Sequence, residues 1–270
     1  MDYIIIVCTK VDHVERRQII RSTWGNVTPY QNVQLGFLVG IPENSSSALV
    51  KAVEEESRLH KDIVQTAHLD TYRNLSLKST AMLDFLTKNC SNVRFHVKID
   101  DDVYVRIPLM TRFLGSGLMQ TDTIYGFTLP DSPVARENWS KYYVPYENYP
   151  HEYWPNYVNG PAYMMTGDAV PKLFEAILDS PNVLECEDAL LTGIAAEKAE
   201  VRLVHTPILM GDNFQPVVNE TLYGYEPSRA FHLVSSPVVQ TTLWEKDNNA
   251  SDGNSINLRF IQQENQLLGI

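Results

Sequence analysis

The chain opens on an unbroken apolar run, Tyr3-Ile4-Ile5-Ile6-Val7-Cys8, which is β-branched from Ile4 to Val7. Such a run fits a strand buried on both faces, as in a parallel sheet. Residues 16–24 then carry a helical pattern, with Gly25 as its stop. Strands follow at 33–39 and 63–65 and helices at 46–60 and 75–89, the last turning Leu75, Met82, Leu83 and Leu86 to one face. Arg94-Phe95-His96-Val97-Lys98-Ile99 alternates polar and apolar residues, the period of a strand. A helix near 109–117, strands at 123–127 and 163–166, a helix at 168–178 and a helix with Leu190, Leu191, Ile194 and Ala195 complete the series. With no internal repeat or low-complexity tract, this alternation predicts an α/β chain with a mostly parallel, twisted sheet flanked by helices, one domain over 1–270.

One stretch breaks the rhythm. Residues 130–161 are rich in Pro, Tyr, Trp and Asn and have no sustained period. Long irregular segments in compact domains are usually lids or binding surfaces. Tyr142, Tyr143, Tyr146, Tyr149, Tyr153, Trp154 and Tyr157 offer flat faces that stack on sugar rings, or else cover one end of the sheet.

Chemistry enters where the strand at 94–99 runs into Asp100-Asp101-Asp102. Ligands of open α/β sheets bind at the carboxyl ends of the strands. Adjacent ionised carboxylates repel, so a cation belongs among them, and Mn²⁺ or Mg²⁺ suits all-oxygen ligation shared with substrate phosphates. A solvated acidic turn is the competing reading. A second acidic site, Glu185-Cys186-Glu187-Asp188, precedes a helix. Carboxylates there serve as caps, but the helix dipole also favours the ionised form that a general base requires.

Composition narrows the partners. The net charge of −11 argues against an extended nucleic-acid surface. Cys8, Cys90 and Cys186 allow at most one internal disulfide, and Cys8 reads as a buried core residue. No run approaches the ~20 apolar residues that span a bilayer, and 3–8 is too short for a signal segment. Yet glycosylation acceptor sequons begin at Asn26, Asn44, Asn74, Asn89, Asn138, Asn219 and Asn249, where chance pairing of 18 Asn with 34 Ser and Thr gives roughly two. Asn74 is expected on a helix for packing reasons. The excess predicts a lumenal domain whose membrane anchor is absent from this sequence.

Six ordered blocks resemble the inverting β1,3-galactosyltransferase family and its β1,3-N-acetylglucosaminyltransferase relatives. They are Arg16 to Gly25, Asp70-Thr71-Tyr72-Arg73-Asn74-Leu75-Ser76-Leu77-Lys78, Lys98 to Val105, Trp154-Pro155-Asn156-Tyr157-Val158-Asn159-Gly160-Pro161-Ala162-Tyr163, Glu187-Asp188 through Gly193, and Arg229-Ala230-Phe231-His232 with Pro237 and Trp244. The resemblance implies a single-domain glycosyltransferase-A fold, with a donor-nucleotide half at about 1–105 and an acceptor-side and catalytic half at about 106–270. It implies a UDP-sugar donor, most simply UDP-galactose, with UDP-N-acetylglucosamine or UDP-N-acetylgalactosamine as alternatives. The acceptor would be a terminal sugar hydroxyl on a glycoprotein or glycolipid in the Golgi lumen.

By the same resemblance Asp188 is the catalytic base, while Asp102 and His232 hold the metal, with His205 the competing histidine. Arg21, Lys78, Asp100 and Asp101 face the donor nucleotide, and Trp154, Tyr157, Gly160 and Glu187 lie on the acceptor side. Asn159 replaces a Ser or Cys common before the motif glycine, and Ala189-Leu190-Leu191-Thr192 is one residue longer than the commonest spacing. Two other classes compete: a phosphohydrolase using the aspartates, disfavoured by Tyr104, and a catalytically silent lumenal lectin or chaperone.

Overall fold

The computed structural model describes residues 2–30, 32–43, 47–115, 120–180, 184–206, 217, 230–234 and 236–250. Within them β1 (Tyr3–Cys8), α1 (Val14–Ser22), β2 (Val33–Ile41), α2 (Ser47–His60), β3 (Ile63–Leu69), α3 (Leu75–Asn89) and β4 (Phe95–Asp100) follow the predicted alternation. Then come β5 (Val103–Val105), α4 (Ile107–Leu114), β6 (Thr123–Leu129), β7 (Tyr157–Thr166) and α5 (Ala169–Leu178). A π-helical turn (Ala189–Ile194), α6 (Ala195–Lys198), β8 (Arg202–His205), β9 (Phe231–Leu233) and α7 (Pro237–Ala250) complete the order.

Seven strands form one sheet in the order β3-β2-β1-β4-β7-β6-β8. The β1–β2, β2–β3, β1–β4 and β6–β8 pairs are parallel, and β7 runs antiparallel to β4 and β6. The connections move from β1 outward to β3 and then return to β4 on the other side. This reversal between β1 and β4 opens a crevice at their carboxyl ends.

The alternating direction of side chains divides the core into two layers. Tyr3, Ile5 and Val7 of β1 pack on one face with Ile20, Trp24, Phe37 and Leu243. Ile4, Ile6 and Cys8 pack on the other with Met82, Leu83, Leu86 and Leu173. The helix face at 75–89 is as expected, except that Leu75 is only half-buried.

Despite its polar–apolar alternation, β4 is buried from Phe95 to Ile99, with His96 and Lys98 inside. Two expectations need correction. The irregular segment ends at Tyr157 rather than 161, because β7 begins there. Pro161 is tolerated in that strand because it lies in the register shift between the Gly126–Tyr163 and Thr128–Val158 pairs with β6, so its missing N–H breaks no ladder bond. The segment also has its own small core: Val134, Val144, Trp154, Leu184, Ala189 and Leu190. Trp154 is buried there and stacked on Tyr149 at 4.5 Å, so packing claims it and not an acceptor sugar.

Candidate active site

A cleft of about 660 Å³ lies over the ends of β1 and β4, roofed by residues 141–144 and walled by Asn159-Gly160-Pro161 and Glu185 to Asp188. It brings together Lys78, Asp100, Asp101, Asp102, Gly160, Glu187 and Asp188 of the expected set. Arg21, Trp154, Tyr157 and His232 are not among its lining residues.

The acidic triplet divides into three roles. Asp101 is buried and spent on protein partners: its carboxylate accepts from Thr9 Oγ1 at 2.6 Å, His13 Nδ1 at 2.7 Å and Arg16 at 3.1 Å. Gln240 of α7 donates to its carbonyl at 2.9 Å. Asp101 therefore fastens the β1–α1 loop and α7 beneath the turn. Asp100 accepts from Lys98 Nζ at 2.7 Å. Burial pushes the Asp100 carboxyl up to about 7 against the pull of Lys98, with added repulsion from Asp102 and Glu187. Its side chain still keeps 38% of its surface open to the cleft, so water offsets part of that burial, and the charged pair is the form we stand behind. Burial, and then the charge of Asp101, also raises Asp102.

Sequence reasoning missed Lys98. Burial pulls its ammonium down, but Asp100 and Glu187 outweigh that and hold it above its ordinary value. Lys98 Nζ donates to Gly160 O at 2.6 Å and lies 3.8 Å from Glu187, so one cation ties the end of β4 to β7. The signal was present: period 2 places Lys98 on the same strand face as Asp100. Lys78 likewise lies in the floor, donating to Thr9 O at 2.7 Å and Asp70 at 2.8 Å. The other Asp70 oxygen accepts from Val11 N and Gly40 N, joining the loop after β1 to the end of β2.

Arg21 stands outside the cleft because Asp62 and Glu56 take its guanidinium, which also stacks on Phe37. The first helix delivers Arg16 to the acidic turn instead.

In the cleft wall, Asp188 Oδ2 accepts from Gly160 N at 3.2 Å, and Oδ1 accepts from Ala189 N at 2.9 Å and the Cys186 thiol at 3.2 Å. Gly160 permits this approach, since a Cβ there would lie 3.3 Å from Asp188 Oδ2. Glu187 accepts from Tyr163 OH at 3.1 Å. Tyr157 lies just behind, its phenol pushed up to about 12, chiefly by burial. Lys141, also unforeseen, reaches the cleft mouth over the rings of Tyr142 at 4.7 Å and Tyr72 at 5.3 Å.

His232 is buried on β9, paired across the ribbon with Tyr104 of β5, and Val234 N donates to Asp102 O at 2.7 Å. His205 is three strands from β4 at the sheet edge, where its Nδ1 accepts from Thr128 N. Among the described residues no group of three or more His, Cys, Asp or Glu converges as a metal site. A hard cation would therefore rest on Asp102 and take further oxygens from phosphate and water, the habit of Mg²⁺. The repelled, cleft-facing charge of Asp102 fits that use.

Asn26, Asn89, Asn138 and Asn249 are exposed, while Asn74 is half-buried and donates to Leu69 O. Asn44, Asn219 and Arg229 lie outside the described residues. The three cysteines are free thiols. Among the described residues no helix is long and apolar enough to cross a membrane.

Comparison with known proteins identifies the family. A human acetylgalactosaminyl-O-glycosyl-glycoprotein β-1,3-N-acetylglucosaminyltransferase is 33% identical over 73% of this chain and 52% of its own length. Mouse β-1,3-galactosyltransferase 2 is 30% identical over 88% of this chain and 55% of its own. A Xenopus laevis lactosylceramide 1,3-N-acetyl-β-D-glucosaminyltransferase is 32% identical over 73% and 54%. The chain thus spans about half the length of the curated relatives it matches. The Galactosyltransferase family model matches residues 15–207, from the first helix to the strand after the π turn, and the chain belongs to that family.

Proposed function

We propose that the chain transfers a hexose, galactose first among the candidates, from a UDP-sugar to a terminal sugar hydroxyl with inversion, forming a β1,3 linkage. The observation that carries this reading is Asp188, a carboxylate held by the Gly160 and Ala189 amides in the wall of the cleft that Asp100 and Asp102 also line. An inverting displacement needs a base on one face of the sugar and leaving-group stabilisation on the other. In this scheme Asp188 takes the acceptor hydroxyl proton as its oxygen bonds to the anomeric carbon. The bond from that carbon to the diphosphate breaks, and the electron pair leaves with UDP.

Mn²⁺ or Mg²⁺ at Asp102, with His232 on the adjacent strand, would stabilise charge on the departing diphosphate. Lys141 has no carboxylate partner among the described residues, and it supplies the cation that an otherwise acidic cleft needs for an anionic donor. The exposed ring of Tyr142 at the mouth suits an acceptor sugar. The acceptors named for the relatives, a glycoprotein and a glycolipid, are the classes we expect. The exposed sequons favour a site in the Golgi lumen. UDP-N-acetylglucosamine and UDP-N-acetylgalactosamine remain the alternative donors.

The test is a panel of UDP-sugars with Mn²⁺ and β-galactoside or N-acetylglucosaminide acceptors. Acceptor-dependent UDP release from one donor supports the proposal. Acceptor binding with no turnover of any donor would favour a silent lectin.

A further inference from the structure

The turn behind Asp188 is wound more loosely than an α-helix. Across Ala189–Ile194 the chain is π-helical, and the Ala195 N–H reaches back five residues to Leu190 O. Such a turn accommodates one extra residue, and π turns recur at functional sites. The residue between Asp188 and Gly193 that the family resemblance marks as extra falls within this turn, and so at the helix and not in a loop.

The winding has a consequence for β7. That strand outruns its neighbour β4, whose last pair is Ile99 with Ala162. The N–H groups of Gly160 and Val158 point past the end of the ladder. Side chains four residues apart on the helix take both: Gly160 N–H donates to Asp188 Oδ2 at 3.2 Å, and Val158 N–H donates to Thr192 Oγ1 at 2.8 Å. Thr192 is fully buried, and its own hydroxyl proton has two acceptors in reach, Asp188 O at 2.7 Å and Val158 O at 2.9 Å. Back-bonding to the fourth preceding carbonyl is common for threonine in helices. Here the same oxygen also accepts from another element, so it bridges the backbone of Asp188 to the backbone of β7. The next residue confirms close docking at this point: a Cβ on Gly193 would lie 3.1 Å from Tyr157 Cβ and 3.2 Å from Pro155 Cγ.

We propose that Thr192 is a positioning residue, whose hydroxyl clamps the π turn to β7 and sets where Asp188 presents its carboxylate to the cleft. The inference rests on the reading of Asp188 as the base.

Thr192→Val keeps the shape and removes the hydroxyl, while Thr192→Ser does the reverse. Misplacing a reacting group by ~1 Å costs up to ~10²-fold. Thr192→Val should therefore lower kcat by at least about tenfold, leave the donor KM within about twofold, and displace the acid limb of the kcat–pH profile. Thr192→Ser should restore the wild-type profile. A Thr192→Val enzyme with a lower Tm but wild-type kcat and pH profile would overturn the proposal. If Thr192→Val does not fold, Thr192→Ala against Thr192→Ser isolates the hydroxyl, and equal kcat in that pair overturns it. Asp188→Asn in the same assay separates the failures. Full activity there removes the base assignment, whereas a dead Asp188→Asn beside a fully active Thr192→Val removes only the clamp.

Discussion

On the side of the cleft formed by β1 and β4, charges are balanced by charged partners: Asp101 by Arg16, Lys78 by Asp70, Lys98 by Asp100. On the side formed by β7 and the π turn, Asp188 is held by two backbone N–H groups and a thiol, with no cation in contact among the described residues. The difference separates two tasks. Ion pairs fix a floor on which a charged leaving group can rest. Neutral donors orient a carboxylate without the electrostatic penalty that a bound cation would place on its taking up a proton. Lys98 joins the two sides, since it binds both Asp100 and the carbonyl of Gly160, whose own N–H holds Asp188.

The sharpest way to break this contrast is Asp188→Asn. The amide is nearly isosteric but cannot accept the acceptor proton, so transfer should fall by about 10²–10⁴-fold, with UDP affinity unchanged in a binding titration. Loss of activity in Glu187→Gln alone would move the base by one residue.

Next in size is Lys98→Met, which strands Asp100 and Glu187 in the floor. Removing one member of a buried pair costs about 3–5 kcal/mol, readable as a lower denaturation midpoint. A midpoint equal to wild type would show that the floor does not depend on this cation.

His96 supplies the matching case on the same strand face, a buried base with no carboxylate. Its Nδ1 meets no hydrogen-bond partner among the described residues, and burial lowers its pKa from 6.5 to about 4. The unfolded chain therefore binds a proton on His96 at a higher pH than the folded chain does. The stability contribution is full above about 6.5 and is lost as the pH falls toward 4, by at most roughly 3 kcal/mol. Denaturation across that window should show a slope that His96→Leu flattens; an unchanged slope would assign it elsewhere.

The smallest loss is expected for the ligand of the cation. Asp102→Ala should weaken UDP binding in Mn²⁺ by about 10–100-fold, and EDTA should do the same to the wild type. Full UDP affinity in EDTA would contradict the role given to Asp102.

These contrasts were unevenly legible in the chain itself. The β-branched run at 3–8 and the helical period at 75–89 announced their elements, because burial on two faces or one stripe writes itself into local spacing. The Asp100–Asp102 turn announced a charged site for the same reason. The partners that decide what each aspartate does come from distant segments: Thr9, His13 and Arg16 for Asp101, and Gly160 for Asp188. No local period encodes such pairings. Lys98 was not legible as a site residue, because only the carboxylates converging from β4 and the Glu187 turn allow a lysine to be buried there. The β5–β9 ribbon joins residues more than a hundred positions apart in strands of three residues, too short for any alternation to register. The π turn left one trace, a residue more than the commonest family spacing.

The central claim is a single displacement at the anomeric carbon with Asp188 opposite the leaving group, and stereochemistry tests it most directly. ¹H NMR of the product formed from an α-linked UDP-sugar should show the large anomeric coupling of a β-glycoside joined at the acceptor 3-hydroxyl. An α-linked product would require the sugar to leave and be attacked on the same face, and would contradict the account.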